Sequence, residues 1–253
     1  MDPRERTREL CGNTVRVAAL YDIHGNLPAL SAVFAELERE GVDTVVCGGD
    51  VVGGPFPAEA LDALARLPDV RYVRGNGDRE VLEGTDGYGI DWEVERARLG
   101  PERLAAIRSW PLTVELEVDG LGGVLFCHAV PSSEDPIFTR ITPDDDVLEL
   151  VGAADADLLV VGHTHVQFDR LLSTGLRVVN AGSVGMPYEG RRGAFWALLG
   201  PDVELRCTEY DVGSAAALVR ESGAQGADDH ARRLLEPPDA DEATSFFESA
   251  RGA

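Results

Sequence analysis

The chain has 253 residues, enough for one sizeable α/β domain, and 44% of them are hydrophobic, which is ordinary for a globular protein. No apolar run approaches the roughly eighteen residues that a membrane span needs, and residues 1–13 lack the apolar stretch of a signal peptide, so we expect a cytoplasmic protein with no membrane partner. The net charge of −22 argues against broad nucleic-acid binding, which relies on a basic surface.

Strand-like and helical patterns alternate in the first third of the chain. An apolar, β-rich run at Val15 to Tyr21 is followed by apolar residues at helical spacing from Leu27 to Arg39. The alternation continues with strands at Thr44 to Cys47 and Val70 to Val73, which flank a helix at Ala58 to Leu67. This βαβαβ order predicts a parallel sheet with helices packed on it.

The pattern then changes. Residues 80–110 are rich in glycine and charge at first and helical later, at Trp92–Arg98 and Glu102–Trp110, and we interpret them as an excursion or a lid over one end of the sheet. Beyond them the chain is strand-rich, with one helix at Asp144–Gly152. The predicted strands are Leu112–Val118, Gly123–Phe126, Leu158–Val161, Arg177–Val179, Ala194–Leu199 and Glu204–Tyr210. This order predicts an α/β fold in which two packed sheets are flanked by helices.

We expect a single domain over residues 1–253. It would have a core at about 15–211, a helical insert at about 80–110 and a C-terminal tail at about 212–253. The tail is predicted to be helical at Ser214–Glu221 and Asp229–Leu235, and it ends in a short amphipathic piece around Phe246 and Phe247. We assign no function to this tail.

Five polar motifs stand out because each directly follows an apolar, strand-like run. They are Asp22-Ile23-His24-Gly25-Asn26, Gly48-Gly49-Asp50, Arg74-Gly75-Asn76-Gly77-Asp78, Cys127-His128-Ala129 and Gly162-His163-Thr164-His165. Ligands of open α/β sheets bind beyond the carboxyl ends of the strands, so the five loops should converge at one edge. Each motif alone has an ordinary explanation, as a turn or as a hydrogen-bonded histidine. We favour one shared site over five such coincidences.

The residue types of these motifs agree with one another. The chain has only five histidines, and four of them lie in the motifs, while His230 lies elsewhere. Imidazole together with carboxylate suits manganese, iron, zinc or nickel, whereas calcium prefers oxygen ligands. In D-x-H and H-x-H, the first and third residues of an extended segment point the same way, so each pair can reach a common ion. The motifs therefore predict a site for divalent metal ions.

In this order the five motifs resemble those of the calcineurin-like metallophosphoesterases. They are most similar to the small bacterial and archaeal branch, which also carries N-A-G-S-V-G, here residues 180–185, and the resemblance runs from about Val15 to about Tyr210. It implies a two-sheet β-sandwich with helices on both outer faces. It also implies two metal ions, one held by Asp22, His24 and His165, the other by Asn76, His128 and His163, with Asp50 bridging them.

The resemblance further implies hydrolysis of phosphodiesters, with phosphomonoesters as a second class of substrate. A hydroxide that bridges the two ions would attack phosphorus in line with the leaving oxygen. Asp50, Asn76 and His128 are the residues expected to act in catalysis. Manganese is the expected metal, with iron, nickel or zinc as alternatives, and the expected partner is a small phosphoester. The oligomeric state stays open.

One position departs from the family pattern. Many members carry a histidine, thought to protonate the leaving group, where this chain has Gly77, so activated aryl esters should react more readily than alkyl esters. Asp78 is either a partner for a ligating histidine or a turn residue, and Asn26 is expected to cap the helix that follows it. The candidates to bind a substrate phosphate are Arg79, Arg191 and Arg192. Each is otherwise a solvated surface arginine.

Two alternatives remain open. Within enzymes, the chain could be a protein or nucleotide phosphatase, although a protein substrate needs an open groove that residues 80–110 would narrow. Outside enzymes, some relatives of this fold are non-catalytic assembly subunits with a degraded metal site. All seven ligand positions are kept here, which argues against such a scaffold. Metal analysis would discriminate, because a scaffold should purify without stoichiometric metal.

Overall fold

The structure, a computed structural model, describes residues 15–84, 91–152 and 154–251. The N-terminal stretch and most of the glycine-rich part of residues 80–110 lie outside these ranges. The strands within them are β1 (Val17–Leu20), β2 (Thr44–Cys47), β3 (Val70–Tyr72), β4 (Thr113–Val118), β5 (Gly122–Cys127), β6 (Leu158–Val161), β7 (Phe168–Leu171), β8 (Arg177–Asn180), β9 (Ala194–Leu199) and β10 (Val203–Thr208). The helices are α1 (Leu27–Glu40), α2 (Pro57–Leu64), α3 (Asn76–Glu83), α4 (Trp92–Arg108), α5 (Asp144–Val151), α6 (Val212–Glu221), α7 (Ala227–Leu235) and α8 (Ala240–Ala250).

The strands form two five-stranded sheets. The first has the order β10-β9-β1-β2-β3, in which β1, β2 and β3 are parallel and β9 runs antiparallel to β1. The second has the order β4-β5-β6-β8-β7, in which β5, β6 and β8 are parallel. Each sheet therefore contains a run of three parallel strands, and the carboxyl ends of those strands lie at one edge.

Successive residues of β1 point to opposite faces of the first sheet and so enter two different cores. Leu20 packs with the apolar sides of α1, α2 and α4, whereas Ala19 and Tyr21 pack between the two sheets. On the outer face of the second sheet, α5 contributes Val147 to a third core. The layers are thus helix, sheet, sheet, helix, and the predicted αββα sandwich is confirmed.

Two elements were missed by the sequence analysis. The edge strand β7 has only four residues, two of them charged, so it presents no apolar run. Helix α3 begins at Asn76, inside a motif whose composition predicts a turn, because glycine and asparagine both favour turns over helices. Its first turn nevertheless forms, since the Asp78 carboxylate accepts a hydrogen bond from the backbone N–H of Gly75.

The segment interpreted as a lid lies mostly in the outer helical layer. Leu99 and Ile107 of α4 are buried in the core under the first sheet, and the two predicted helices are joined across a break at Gly100, where φ is 75°. Of the described residues in this segment, Glu80 and Trp92 also line a cavity at the predicted metal site. Within the described ranges, no helix is both long and apolar enough to cross a bilayer.

Candidate metal centre

The five motifs converge at the carboxyl ends of β1, β2, β3, β5 and β6. The first group of side chains is Asp22, His24 and His165. Nε2 of His24 lies 3.2 Å from Nε2 of His165, and Oδ1 of Asp22 lies 3.3 Å from Nε2 of His165 and 4.0 Å from Nε2 of His24. Three potential ligand atoms therefore surround one point, as expected for a cation site.

A second group lies directly beside the first. Nε2 of His128 is 3.1 Å from Oδ1 of Asn76 and 3.2 Å from Nδ1 of His163. These three side chains come from the ends of β3, β5 and β6, which belong to different sheets. The site is thus assembled across the sandwich, and no single local segment could form it.

Asp50 lies between the two groups and offers one oxygen to each. Its Oδ2 is 3.8 Å from Nε2 of His24, and its Oδ1 is 3.7 Å from Nε2 of His128. The backbone N–H of Gly77 donates to Oδ1 at 2.8 Å, which fixes the carboxylate orientation. A carboxylate held in this way can bridge two cations.

The far ring nitrogens of three histidines face backbone carbonyls. Nδ1 of His128 is 3.0 Å from the Gly48 carbonyl, and Nδ1 of His165 is 2.7 Å from the Met186 carbonyl. Nε2 of His163 is 3.2 Å from the carbonyl of Asp135. A carbonyl can only accept, so each neutral ring carries its proton there and presents a lone pair to the centre. These tautomers suit metal ligation.

The electrostatics of the site also fit cations. Oδ1 of Asp22 is buried and has no hydrogen-bond partner among the described residues, although an orphaned carboxylate oxygen is costly to bury. Burial alone would raise the pKa of Asp22, but the imidazoles of His165, His128 and His24, in their protonated form, outweigh it and hold that pKa below its usual range. Burial lowers the pKa of His163 to about 3, so its ring is neutral at pH 7. The donor set therefore fits divalent metal ions.

The backbone at the centre is strained. Within the described ranges, five non-glycine residues have positive φ, and all five are candidate ligands: Asp22 (51°), His24 (45°), Asp50 (51°), His163 (68°) and His165 (57°). Such conformations cost on the order of 1–3 kcal/mol each, and they cluster at functional sites. The strain is concentrated on the candidate ligand loops. This indicates that the position of these side chains is maintained at a cost in backbone conformational energy.

The N-A-G-S-V-G segment supports the ligand loops from behind. The Ser183 hydroxyl donates to the Asp22 carbonyl at 2.7 Å, and the Asn180 amide donates to the Gly162 carbonyl. A Cβ at Gly185 would lie 1.8 Å from the carbonyl oxygen of Ile23, so only glycine fits there. The segment therefore holds two of the candidate ligand loops at a fixed separation.

Asp78 and Asn26 both bond to the backbone, but only Asn26 does so in the role expected from the sequence. Asp78 is fully buried, and its carboxylate accepts from the backbone N–H groups of Val51 and Val52 as well as Gly75, so it anchors the Asp50 loop through the backbone. It makes no hydrogen bond to a histidine of the described chain. Asn26 caps α1 as predicted, since its Oδ1 accepts from Ala29 N–H at 3.2 Å.

A cavity of about 520 Å³ is lined by candidate ligands, among them His24, Asp50 and Asn76. Residues of the C-terminal tail, including His230 and Arg233 on α7, also line it. Among the described residues, Arg233 is the one arginine that lines it. Sequence reasoning missed both tail residues, because neither lies in a motif or follows a strand.

The three arginines proposed as phosphate ligands lie in other surroundings. Arg79 pairs with Asp135 at 2.6 Å, Arg191 lies over the ring of Phe195 at 4.7 Å, and Arg192 donates to a backbone carbonyl of α7. None of the three lines the cavity. Their assignment to substrate stays a prediction that this geometry does not favour.

Comparisons with known proteins point to one family. A family model described as the calcineurin-like phosphoesterase superfamily domain matches residues 15–199. An uncharacterized protein of Methanocaldococcus jannaschii is 31% identical over 227 residues, which cover 79% of this chain and 89% of that protein. A metallophosphoesterase from Sphaerobacter thermophilus is 28% identical with a TM-score of 0.70, covering 88% of this chain and 99% of the other.

A further solved structure shares the fold alone. A hypothetical protein from Pyrococcus horikoshii OT3 has a TM-score of 0.74 at 22% identity, and the match covers 89% of this chain and all of that one (100%). The match extends well beyond the 185 residues between positions 15 and 199, so the shared architecture includes part of the chain outside the family model.

Proposed function

This chain belongs to the calcineurin-like phosphoesterase superfamily, and on that premise we propose that it hydrolyses small phosphodiesters at a pair of divalent metal ions. Phosphomonoesters are proposed as a second class of substrate. Family membership supports hydrolase activity, and the observation that carries the finer proposal is the position of Asp50. One carboxylate oxygen faces each group of ligands, at 3.7 and 3.8 Å from the nearest imidazole nitrogens.

The ligands of the two sites are proposed from the same geometry. Asp22, His24 and His165 would hold one ion, and Asn76, His128 and His163 would hold the other, with Asp50 shared. When bound, the ions supply Lewis acidity to the phosphoryl oxygens and a nucleophilic water near neutral pH. Mixed nitrogen and oxygen donors suit first-row transition metals, and we propose manganese, since histidine ligation disfavours calcium and magnesium.

The protein's own residues would prepare the reaction in two ways. The carbonyls behind His128, His163 and His165 keep each ring oriented with its lone pair inward, so no proton must leave before a metal binds. The Gly77 N–H holds Asp50, which keeps the two ion positions at a fixed separation. Preorganised ligands of this kind are what two-metal hydrolysis requires.

The proposal is tested with a panel of substrates and metals. Bis(p-nitrophenyl) phosphate, p-nitrophenyl phosphate and a cyclic nucleotide are each assayed with manganese, nickel, zinc and magnesium after metal removal. We expect turnover that needs added metal and is fastest on the aryl diester, and we expect Asp50→Asn to reduce it to background. The matched control is Asp62→Asn, which changes an exposed carboxylate paired with Arg103 and should keep full activity.

A scaffold would behave differently in the same experiment. It would purify without stoichiometric metal and would show no metal-dependent turnover with any substrate. Full activity of Asp50→Asn would instead refute the shared position of this carboxylate while leaving hydrolysis itself in place. The two results are separable because metal content and turnover are measured on the same preparations.

A further inference from the structure

Helix α7 turns one face toward the cavity that the candidate metal ligands also line. His230 and Arg233 lie on this face, three residues and therefore about one helical turn apart. The neighbouring Arg232 does not line the cavity. The family model ends at residue 199, so it does not include this helix.

His230 is a buried histidine with an unused ring nitrogen. Only 9% of the residue is exposed, yet its Nε2 is buried without a hydrogen-bond partner among the described residues. The backbone of Gly185 lies beside the ring and favours its protonated form, so it is the carbonyl of Gly185 that faces the imidazole. With the ring proton on Nδ1, the unpartnered Nε2 of the neutral ring is an acceptor.

The charge state of this ring follows from its surroundings. Burial lowers the pKa of His230 to about 4, the Gly185 carbonyl opposes that effect, and Arg233 and His165 contribute further lowering. The imidazole is therefore neutral at pH 7 and is a poor proton donor. The free lone pair can accept a hydrogen bond from a donor, such as the hydroxyl group of an alcohol or a sugar.

Arg233 is held in place but keeps part of its guanidinium available. Its Nε pairs with Asp229 at 2.7 Å, and its Nη1 is 3.4 Å from the Tyr188 hydroxyl. Within the described part of the chain, Nη2 has no hydrogen-bond partner. The Tyr188 ring stacks on His165 with centroids 4.7 Å apart, so Arg233 is one side chain removed from a candidate metal ligand.

The position of α7 is fixed from two sides. Its apolar face packs on α6 through Ala231 and Leu234. The connection before it is tied to the start of α4, since the Gln225 side chain bonds both the N–H and the carbonyl of Asp91, at 2.8 and 3.0 Å. The two side chains are thus preorganised toward the cavity, which lowers the entropy that ligand binding must overcome.

We propose that this face of α7 is a substrate-binding subsite for a hydroxylated phosphoester. Arg233 binds an anionic oxygen of the phosphoester, and Nε2 of His230 accepts a hydrogen bond from a hydroxyl on the alcohol part of the substrate. The inference rests on the phosphoesterase function proposed above and names the class of substrate: organic phosphates of polyols or sugars, in preference to esters that have the same leaving group and no hydroxyl.

The test of Arg233 uses its neighbour as the control. Arg232 and Arg233 both pair with Asp229, but only Arg233 lines the cavity. With manganese-loaded protein, Arg233→Ala should raise KM at least about tenfold, which corresponds to about 1.4 kcal/mol, and change kcat little. Calorimetry should show inorganic phosphate binding weakened by a similar factor, with unchanged metal content, while Arg232→Ala matches the wild type in both.

The test of His230 uses two substitutions and two substrates. The 4-nitrophenyl phosphodiesters of glycerol and of propanol differ only in hydroxyl groups, and uncatalysed cleavage is subtracted. Wild type should favour the glyceryl ester at least about tenfold in kcat/KM. His230→Asn, which retains a donor near Nδ1, should lose that preference, and His230→Gln, which retains a polar atom near Nε2, should keep part of it.

The possible outcomes separate a failure of the proposed function from a failure of the subsite. Wild-type protein without metal-dependent turnover would overturn the proposed function together with this subsite. An active wild type in which Arg233→Ala behaves as Arg232→Ala, or in which the glyceryl ester has no advantage, would overturn the subsite alone. Circular dichroism and the melting temperature of each variant show that it is folded before either comparison is made.

Discussion

At the residue scale, Asp22 carries a conflict that a bound cation would relieve. Its Oδ2 accepts the backbone N–H of His163 at 2.9 Å, but its Oδ1 is buried without a partner among the described residues, 3.3 Å from a ring nitrogen that presents a lone pair. When the ring is neutral, these two acceptors repel each other across this distance. The native carboxylate is therefore suited to the metal-bound protein and unfavourable in the metal-free one.

Asp22→Asn should stabilise the metal-free protein and remove the stabilisation by bound metal. With the side chain in the same rotamer, the amide would donate to Nε2 of His165 while its oxygen keeps the His163 bond, so metal-free protein should gain about 1 kcal/mol in unfolding free energy. Manganese should stabilise the wild type and not the variant. Urea unfolding with chelator and with manganese measures both, and a variant that is weakened without metal yet still stabilised by manganese would contradict this account.

Gly77 occupies the position at which the resemblance to the family leads us to expect a histidine as general acid. Phosphodiester hydrolysis should therefore depend steeply on the pKa of the leaving group, and Gly77→His should make that dependence shallower. An added Cβ would lie 3.1 Å from Oδ1 of Asp50, so the substitution also crowds this carboxylate. Gly77→Ala adds the same crowding without an imidazole and is the matched control. If the rate depends on the leaving-group pKa with the same slope in Gly77→His and Gly77→Ala, the absence of an acid at this position is not the cause of the steep dependence.

At the element scale, the candidate metal ligands can be predicted from the sequence because each follows an apolar strand. The residues of α7 that line the same cavity cannot be predicted in this way. Strand ends converge by the geometry of parallel sheets, so the sequence alone predicts that Asp22, Asp50 and His163 lie together. Arg233 lies in a short polar helix whose docking depends on packing against α6. Packing of that kind leaves no local sequence signal, and the arginines chosen from the sequence lie in other surroundings.

Helix α3 ties two of the candidate ligand loops together through Asp78. In Asp78→Asn the amide nitrogen cannot accept, so one of the three backbone N–H groups that the carboxylate now satisfies loses its partner. We expect a loss of about 1–3 kcal/mol in unfolding free energy and weaker manganese binding, because the Asp50 loop loses its anchor. Urea denaturation and calorimetry measure the two effects. If Asp78→Asn proved no worse than Asp62→Asn, the anchoring role would be wrong.

At the scale of the whole molecule, the charge of −22 and the position of the site have a joint consequence. A strongly acidic surface raises the local concentration of cations, and the candidate site collects its donors at one edge of the sandwich. Bound cations would in turn reverse the local field and admit an anionic phosphoester. The acidity of the chain and its proposed substrate are therefore compatible.

This long-range contribution predicts a salt dependence of metal binding. The Debye length falls from about 30 Å at 0.01 M salt to about 3 Å at 1 M, so distant carboxylates stop contributing as salt is added. Manganese affinity should weaken several-fold between about 0.02 and about 0.5 M sodium chloride, as measured by calorimetry at constant pH. Equal affinities at the two salt concentrations would show that only the immediate ligands matter.

The central claim is that seven side chains from five loops hold two cations around Asp50. Anomalous diffraction from crystals soaked in manganese tests it most directly, because it locates each ion without reference to activity. We predict two peaks about 3.5–4 Å apart, one beside Asp22, His24 and His165 and the other beside Asn76, His128 and His163, with Asp50 touching both. A single peak, or none at full manganese saturation, would contradict the account.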